Sequence, residues 1–147
     1  MEIKYYSHQV LTFLLAAQLV SPQKYLLLKG NHENIIINKK YGYGDVIQRL
    51  DESLFEDLKM FYRTLPLAAF VSFRSKTYLA CHGGAFFVDE SEIQNKSLFE
   101  LLQNKSTLTK YGRQLIWNDP DPSISNLSQG RGKEFRFYGC EAFDGFL

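Results

Sequence analysis

The chain has 147 residues, and Lys plus Arg at 17 nearly balance Asp plus Glu at 16, for a formal net charge of +1. That balance excludes the basic excess by which proteins hold nucleic acid or an anionic membrane surface. Hydrophobic residues at 45% and aromatics at 15% exclude a disordered chain, and a total of two cysteines excludes a disulfide scaffold.

This is one domain's worth of chain, long enough to bury a core. Cys81 and Cys140 are expected to be reduced residues of an intracellular protein. From the start, Ser7 is placed to cap a first helix. Leu11, Leu14, Leu15, Gln18 and Leu19 then share one helical face, and Ser21-Pro22 ends it. The apolar run 10–20 is too short to span a bilayer. It also lacks a charged lead-in and an A-x-A site, so it is read as a helix rather than a leader. His8, with no partner residues around it, is read as an ordinary helix residue.

Residues 25–28 are expected to form a strand buried on both faces, ending at Gly30, where the backbone turns sharply. Tyr41-Gly42-Tyr43-Gly44 predicts a bend between short helical pieces. Residues 51–65 form the clearest amphipathic pattern, with Leu54, Leu58, Phe61 and Leu65 at helical spacing. Two strands, 67–73 and 77–81, follow around a turn at 74–76. A short helix is expected at 98–103. The stretch 115–122 carries Pro120 and Pro122 and is not expected to be helical. A Ser/Asn-rich loop covers 123–129. Phe135, Phe137 and Tyr138 suggest a strand, and 141–147 the start of a helix. Asn95, Asn104 and Asn126 head glycosylation patterns that a cytosolic protein would not use.

Two places have the same form, an apolar strand running straight into side chains that can bind ligands. The first is Lys29-Gly30-Asn31-His32-Glu33, and the second is Cys81-His82-Gly83-Gly84. In open α/β sheets ligands gather outside the carboxyl ends of the strands. Two strand-then-His turns therefore suggest one shared site. Cys81 has apolar neighbours and no adjacent base, and it is read as a buried small residue rather than a nucleophile.

These residues carry a resemblance. KGNHE at Lys29 to Glu33, the YG of Tyr41 and Gly42, the LP of Leu65 and Pro66, HGG from His82, WNDP from Trp117 and the RG of Arg131 and Gly132 occur in that order. Together they resemble the later motifs of the phosphoprotein phosphatase (PPP) family, serine/threonine phosphatases of the calcineurin-like metallophosphoesterase superfamily. The likeness runs over nearly the whole chain and covers about half of the family's catalytic core.

The resemblance implies an α/β fold of two packed mixed sheets flanked by helices, here incomplete at both ends. It also implies that residues 1–147 are part of one catalytic domain. The implied reaction is two-metal hydrolysis of phosphoserine and phosphothreonine. The metals hold the phosphoryl oxygens and make hydroxide near neutral pH, and a general acid protonates the leaving alkoxide. By resemblance His32 is that acid, Asn31 and His82 are ligands of the second metal, Arg131 contacts the phosphate and Asp119 supports the site. The implied cofactors are two divalent ions, manganese or iron with zinc.

The family's GDxHG motif has no counterpart here, and Glu2, Ile3 and Lys4 fall where GDxVDRG would end. Asn31 and His82 are two neutral ligands where a divalent ion wants four or more, usually with carboxylates. The chain alone is therefore expected to bind metal weakly or not at all, to show no appreciable turnover and to expose apolar surface. The implied partners are phosphoprotein substrates and regulatory subunits, with no nucleic acid and no membrane, in the cytoplasm or nucleus. Two other readings stand beside this one. One is a non-catalytic pseudophosphatase or protein-interaction module. The other is a metallophosphoesterase acting on nucleotides.

Overall fold

The computed structural model describes residues 3–85, 87, 105–132 and 135–144. They fall into two compact units, Met1–Pro66 and Leu67–Leu147. The first unit is all helix and connecting chain, and the second holds the strands.

Helix α1 runs Ile3–Val20. It begins earlier than a cap at Ser7 allows, so Ser7 lies within the helix. It stops one residue before Ser21-Pro22, because proline lacks an amide donor and clashes with the preceding turn. Leu11 packs on the core of this unit, whereas Phe13, Leu19 and Val20 are 72%, 83% and 82% exposed. Helices α2 (Ile35–Lys40) and α3 (Tyr43–Leu50) are joined at Gly42, whose φ of 81° is left-handed. Only glycine adopts that conformation without strain, so the bend anticipated among the tyrosines falls there.

Helix α4 (Glu52–Thr64) is capped by Asp51, whose carboxylate accepts from the Ser53 amide at 2.8 Å. Its buried face is Phe55, Leu58 and Tyr62, packed with Ile47 of α3. Leu54 is 43% exposed. The helix is where its periodicity placed it, but it is rotated by about one position, so that two aromatic residues rather than Leu54 face inward.

Residues 25–28 correct the expectation of a buried strand. They pair with no strand among the described residues, and Tyr25 and Leu26 are 47% and 59% exposed. A strand exists only through its ladder. Here the segment is tied down near its end, by the Lys29 amide donating to the Pro66 carbonyl at 2.8 Å. Gly30 is buried, yet among the described glycines the left-handed φ belongs to Gly42.

In the second unit β1 (Ala68–Phe73) and β2 (Lys76–Cys81) form an antiparallel hairpin, with Ala68 opposite Cys81 and Phe73 opposite Lys76. Arg74 takes φ 56° in the two-residue turn between them. Helix α5 (Lys105–Trp117) was not foreseen. The prolines end it rather than prevent it, since the helix stops at Trp117 and Pro120 lies in the strand that follows. Tyr111 and Leu115 are fully buried and pack with Leu67, Ala68, Leu79 and Cys81 of the hairpin.

A second, three-stranded sheet has the order β3 (Asp119–Pro120), β5 (Arg136–Tyr138), β4 (Leu127–Gln129). The β3–β5 pair is parallel and the β4–β5 pair antiparallel. The expected loop 123–129 is therefore a loop only to residue 126, and its last three residues, Leu127–Gln129, close as a strand. Helix α6 (Cys140–Asp144) follows. The helix expected at 98–103 lies outside the described residues. No helix among the described residues is long and apolar enough to cross a membrane.

Candidate active site

The first candidate turn is locked by its own residues. The Gly30 amide donates to the Glu33 carboxylate at 2.7 Å, and the Glu33 amide donates back to the Gly30 carbonyl at 3.2 Å. These reciprocal bonds close the backbone around Asn31 and His32, which occupy the two corner positions. His32 is exposed, and its ring stacks on Tyr41 with centroids 5.2 Å apart. A third bond comes from α2, where the Asn38 amide donates to the His32 carbonyl at 2.7 Å. Asn38 is 4% exposed. Glu33, which the sequence offered as a carboxylate ligand, is instead a tie for the turn.

Lys29 anchors the near side. Its ammonium donates to the Tyr62 carbonyl at 2.9 Å, in the last turn of α4, where carbonyls have no helical partner. Burial holds the Lys29 pKa below the usual lysine range, against the opposing pull of Glu33. Tyr62, in the same cluster, has its hydroxyl pKa pushed up by burial and, to a lesser extent, by Tyr43 and Glu33. The Tyr43 hydroxyl and the Asn38 carbonyl oxygen are buried without a hydrogen-bond partner among the described residues.

The second candidate turn follows β2. His82 is exposed, and the glycines after it serve packing. The Gly83 amide donates to the Leu115 carbonyl at 2.7 Å, and a Cβ on Gly83 would lie 2.9 Å from the backbone of α5. A Cβ on Gly84 would overlap the Tyr138 ring and hydroxyl. HGG is thus a histidine on a chain that must pass flush against a helix end and a buried tyrosine. Cys81 donates weakly to the Gly84 carbonyl at 3.5 Å, and burial pushes its thiol pKa up. A raised pKa is the opposite of what activates a thiol nucleophile.

The residues that follow α5 organise the rest. Asn118 has no exposed surface. Its amide donates to the Ala85 carbonyl at 2.8 Å and to the Gln114 side chain at 3.3 Å, and its carbonyl oxygen accepts from the Arg136 amide at 2.9 Å. One side chain therefore ties the loop after HGG, the end of α5 and strand β5. Gln114 accepts in turn from the Phe87 amide at 2.9 Å. Sequence reasoning passed over Asn118, although Tyr111, Gln114, Leu115 and Asn118 have helical spacing.

Immediately beyond Asn118, Asp119 and Arg131 meet, with the Asp119 carboxylate 3.0 Å from the Arg131 Nε. These two expected site residues are joined directly. Arg131 is the more exposed partner, its side chain 59% exposed against 34% for Asp119. The pair engages one edge of the guanidinium, and among the described residues Arg131 has no other ion pair. Trp117 stacks on Phe135 nearby, with centroids 5.3 Å apart.

A helical unit, a β-hairpin capped by a strand-His-Gly-Gly turn, and a mixed sheet bearing an Asp–Arg pair define the class. Residues 5–138 match the calcineurin-like phosphoesterase family, and the chain belongs to that family. Among solved structures it is similar in fold to a protein serine/threonine phosphatase from Saccharomyces cerevisiae that has similarity to human phosphatase PP5. The TM-score is 0.68 at 24% identity, with 97% of this chain and 43% of that chain covered. The chain thus spans less than half the length of that structure.

Divalent metal ions are general in this family. Among the described residues no three of His, Cys, Asp and Glu are grouped to hold one. Asn31 and His82 are two neutral donors, so these side chains alone make part of a metal cradle and not a whole one.

Proposed function

We propose that this chain is part of the catalytic domain of a protein serine/threonine phosphatase of the PPP type. What supports the reading best is the KGNHE turn, where an exposed imidazole stands on backbone held by three hydrogen bonds at 2.7, 2.7 and 3.2 Å. A general acid needs that combination of access and fixed position. His32 protonates the leaving serine or threonine oxygen. Arg131, steadied by Asp119, presents its remaining N–H groups to phosphate oxygens. Asn31 and His82 are the residues that would hold metal, and the metals would supply the hydroxide. The substrates are phosphoproteins, and regulatory subunits are the further partners. The 147 residues alone are proposed to turn over little, because two neutral ligands leave a divalent ion's charge unbalanced.

The test offers the protein that carries this chain, with manganese, a phosphothreonine peptide and, separately, a dinucleoside polyphosphate. Phosphate release from the peptide, lowered on the order of 100-fold or more by His32→Ala, is the expected result. Turnover of the dinucleotide alone would replace this reading with the nucleotide-directed one.

A further inference from the structure

The chain holds one side chain whose placement points to a role that the reading above leaves unassigned. Asn38 lies in α2, one helical turn beyond the cap Asn34, and is 4% exposed. Its Nδ2 donates to the main-chain carbonyl of His32 at 2.7 Å. A carbonyl oxygen only accepts, so the amide's orientation is fixed by chemistry. The other two ties of the turn, Gly30 to Glu33 and Glu33 to Gly30, hold its ends. The second of these also restrains the peptide plane between His32 and Glu33, from its N–H side and through the longer 3.2 Å bond. Asn38 holds the same plane from its carbonyl side at 2.7 Å. Without Asn38 the plane rests on the longer bond alone, and the His32 backbone under the ring stacked on Tyr41 gains freedom.

From this geometry we infer that Asn38 is a positioning residue for His32, holding the imidazole where it can hand its proton to the leaving oxygen. The inference rests on His32 being the general acid. The Asn38 side chain also hydrogen-bonds the Tyr62 side chain, so it meets α4 as well as the turn. Its Nδ2 nonetheless reaches the main-chain carbonyl of His32 itself, while its own carbonyl oxygen has no hydrogen-bond partner among the described residues.

A general acid matters most when the leaving group is a poor one. An alkoxide from threonine needs the proton, whereas p-nitrophenolate leaves without much help. Displacing a catalytic group by about 1 Å costs on the order of 100-fold. Asn38→Ala is therefore expected to lower kcat on a phosphothreonine peptide by roughly 10- to 100-fold. KM should stay nearly constant, because the interaction is made in the transition state. On p-nitrophenyl phosphate the same preparation is expected to lose less than about threefold.

The assay uses the manganese-loaded protein that carries this chain, with His32→Ala run in parallel. If His32→Ala shows no preference between the two substrates, the general-acid reading itself fails. If His32→Ala discriminates and Asn38→Ala lowers both substrates equally, Asn38 is a structural residue and the inference fails. Should Asn38→Ala not fold, Asn38→Ser, which keeps a small polar side chain but cannot reach the His32 carbonyl, takes its place under the same two criteria. An independent readout is the His32 imidazole in NMR. Asn38→Ala is expected to broaden or shift its ring resonances while those of His82 stay in place, and an unmoved His32 would overturn the assignment.

Discussion

Asn118→Ala is the substitution whose cost follows most directly from the structure. The side chain is fully buried, and its removal leaves the Ala85 carbonyl and the Arg136 amide without the partners they have at 2.8 and 2.9 Å. A buried main-chain group left unsatisfied costs about 1–3 kcal/mol. Ala85 is 6% exposed, so its carbonyl bears that cost fully, while Arg136 is half-buried and water recovers part of its loss. The third bond, to Gln114 at 3.3 Å, is weak, and Gln114 keeps the Phe87 amide as a partner.

The sum is about 2–4 kcal/mol, against a total stability of roughly 5–15 kcal/mol for an ordinary domain. In thermal terms this is a fall of roughly 5–12 °C for a chain of this size. Urea unfolding followed by fluorescence reads it locally, because Trp117 is the chain's one tryptophan and stacks on Phe135 beside the site. Lys76→Ala, exposed on the hairpin of the same unit, is the control, expected within about 0.5 kcal/mol of the parent. A loss below about 0.5 kcal/mol for Asn118→Ala, with an unchanged urea dependence, would refute the reasoning.

Other substitutions and conditions test the remaining contacts. Gly84→Ala drives a methyl group into the Tyr138 ring and is expected to cost about 1–3 kcal/mol in the same urea assay; an unchanged midpoint would mean that the HGG chain does not lie against Tyr138. Asp119→Asn removes the charge that steadies Arg131. Because the pair is partly exposed, stability should change by less than about 1 kcal/mol, while KM for a phosphopeptide rises in the protein that carries this chain. The Asp51 pKa is lowered by hydrogen bonds from the Ser53 side chain and amide, so its stabilisation is present above the ordinary carboxylate pKa and lost as pH falls through the lowered one. Helicity measured by circular dichroism should fall over that acid range, and Asp51→Asn should flatten the dependence. Burial raises the pKa of Tyr43, Tyr62 and Tyr138, so their contribution is present below the ordinary tyrosine pKa and lost as pH rises beyond it. Ultraviolet titration should find a late-ionising class whose appearance accompanies unfolding, and a single early class would contradict the burial of these rings.

What was legible in the sequence was whatever short-range physics decides. The β1–β2 hairpin and α4 were read nearly to the residue, because alternation and helical spacing are local signals and a two-residue turn joins strands that are neighbours in sequence. The turns bearing His32 and His82 were legible for the same reason, since each stands where an apolar run meets glycine. Family membership came from the order of these short segments.

Tertiary structure decided the rest. Residues 25–28 have the composition of a strand but no ladder among the described residues, and composition cannot supply a partner. Pro120 and Pro122 make 115–122 read as non-helical, yet they only end α5. Its inward Gln114 and the adjoining Asn118 are polar. They are buried only because main-chain groups of Ala85, Phe87 and Arg136 converge on them. Asp119 lies in β3 and Arg131 just beyond β4, and their meeting accompanies the closure of β3, β5 and β4 into one sheet. Hydrogen bonds between distant segments are chosen by what folding brings within reach, and a one-dimensional pattern does not contain that choice.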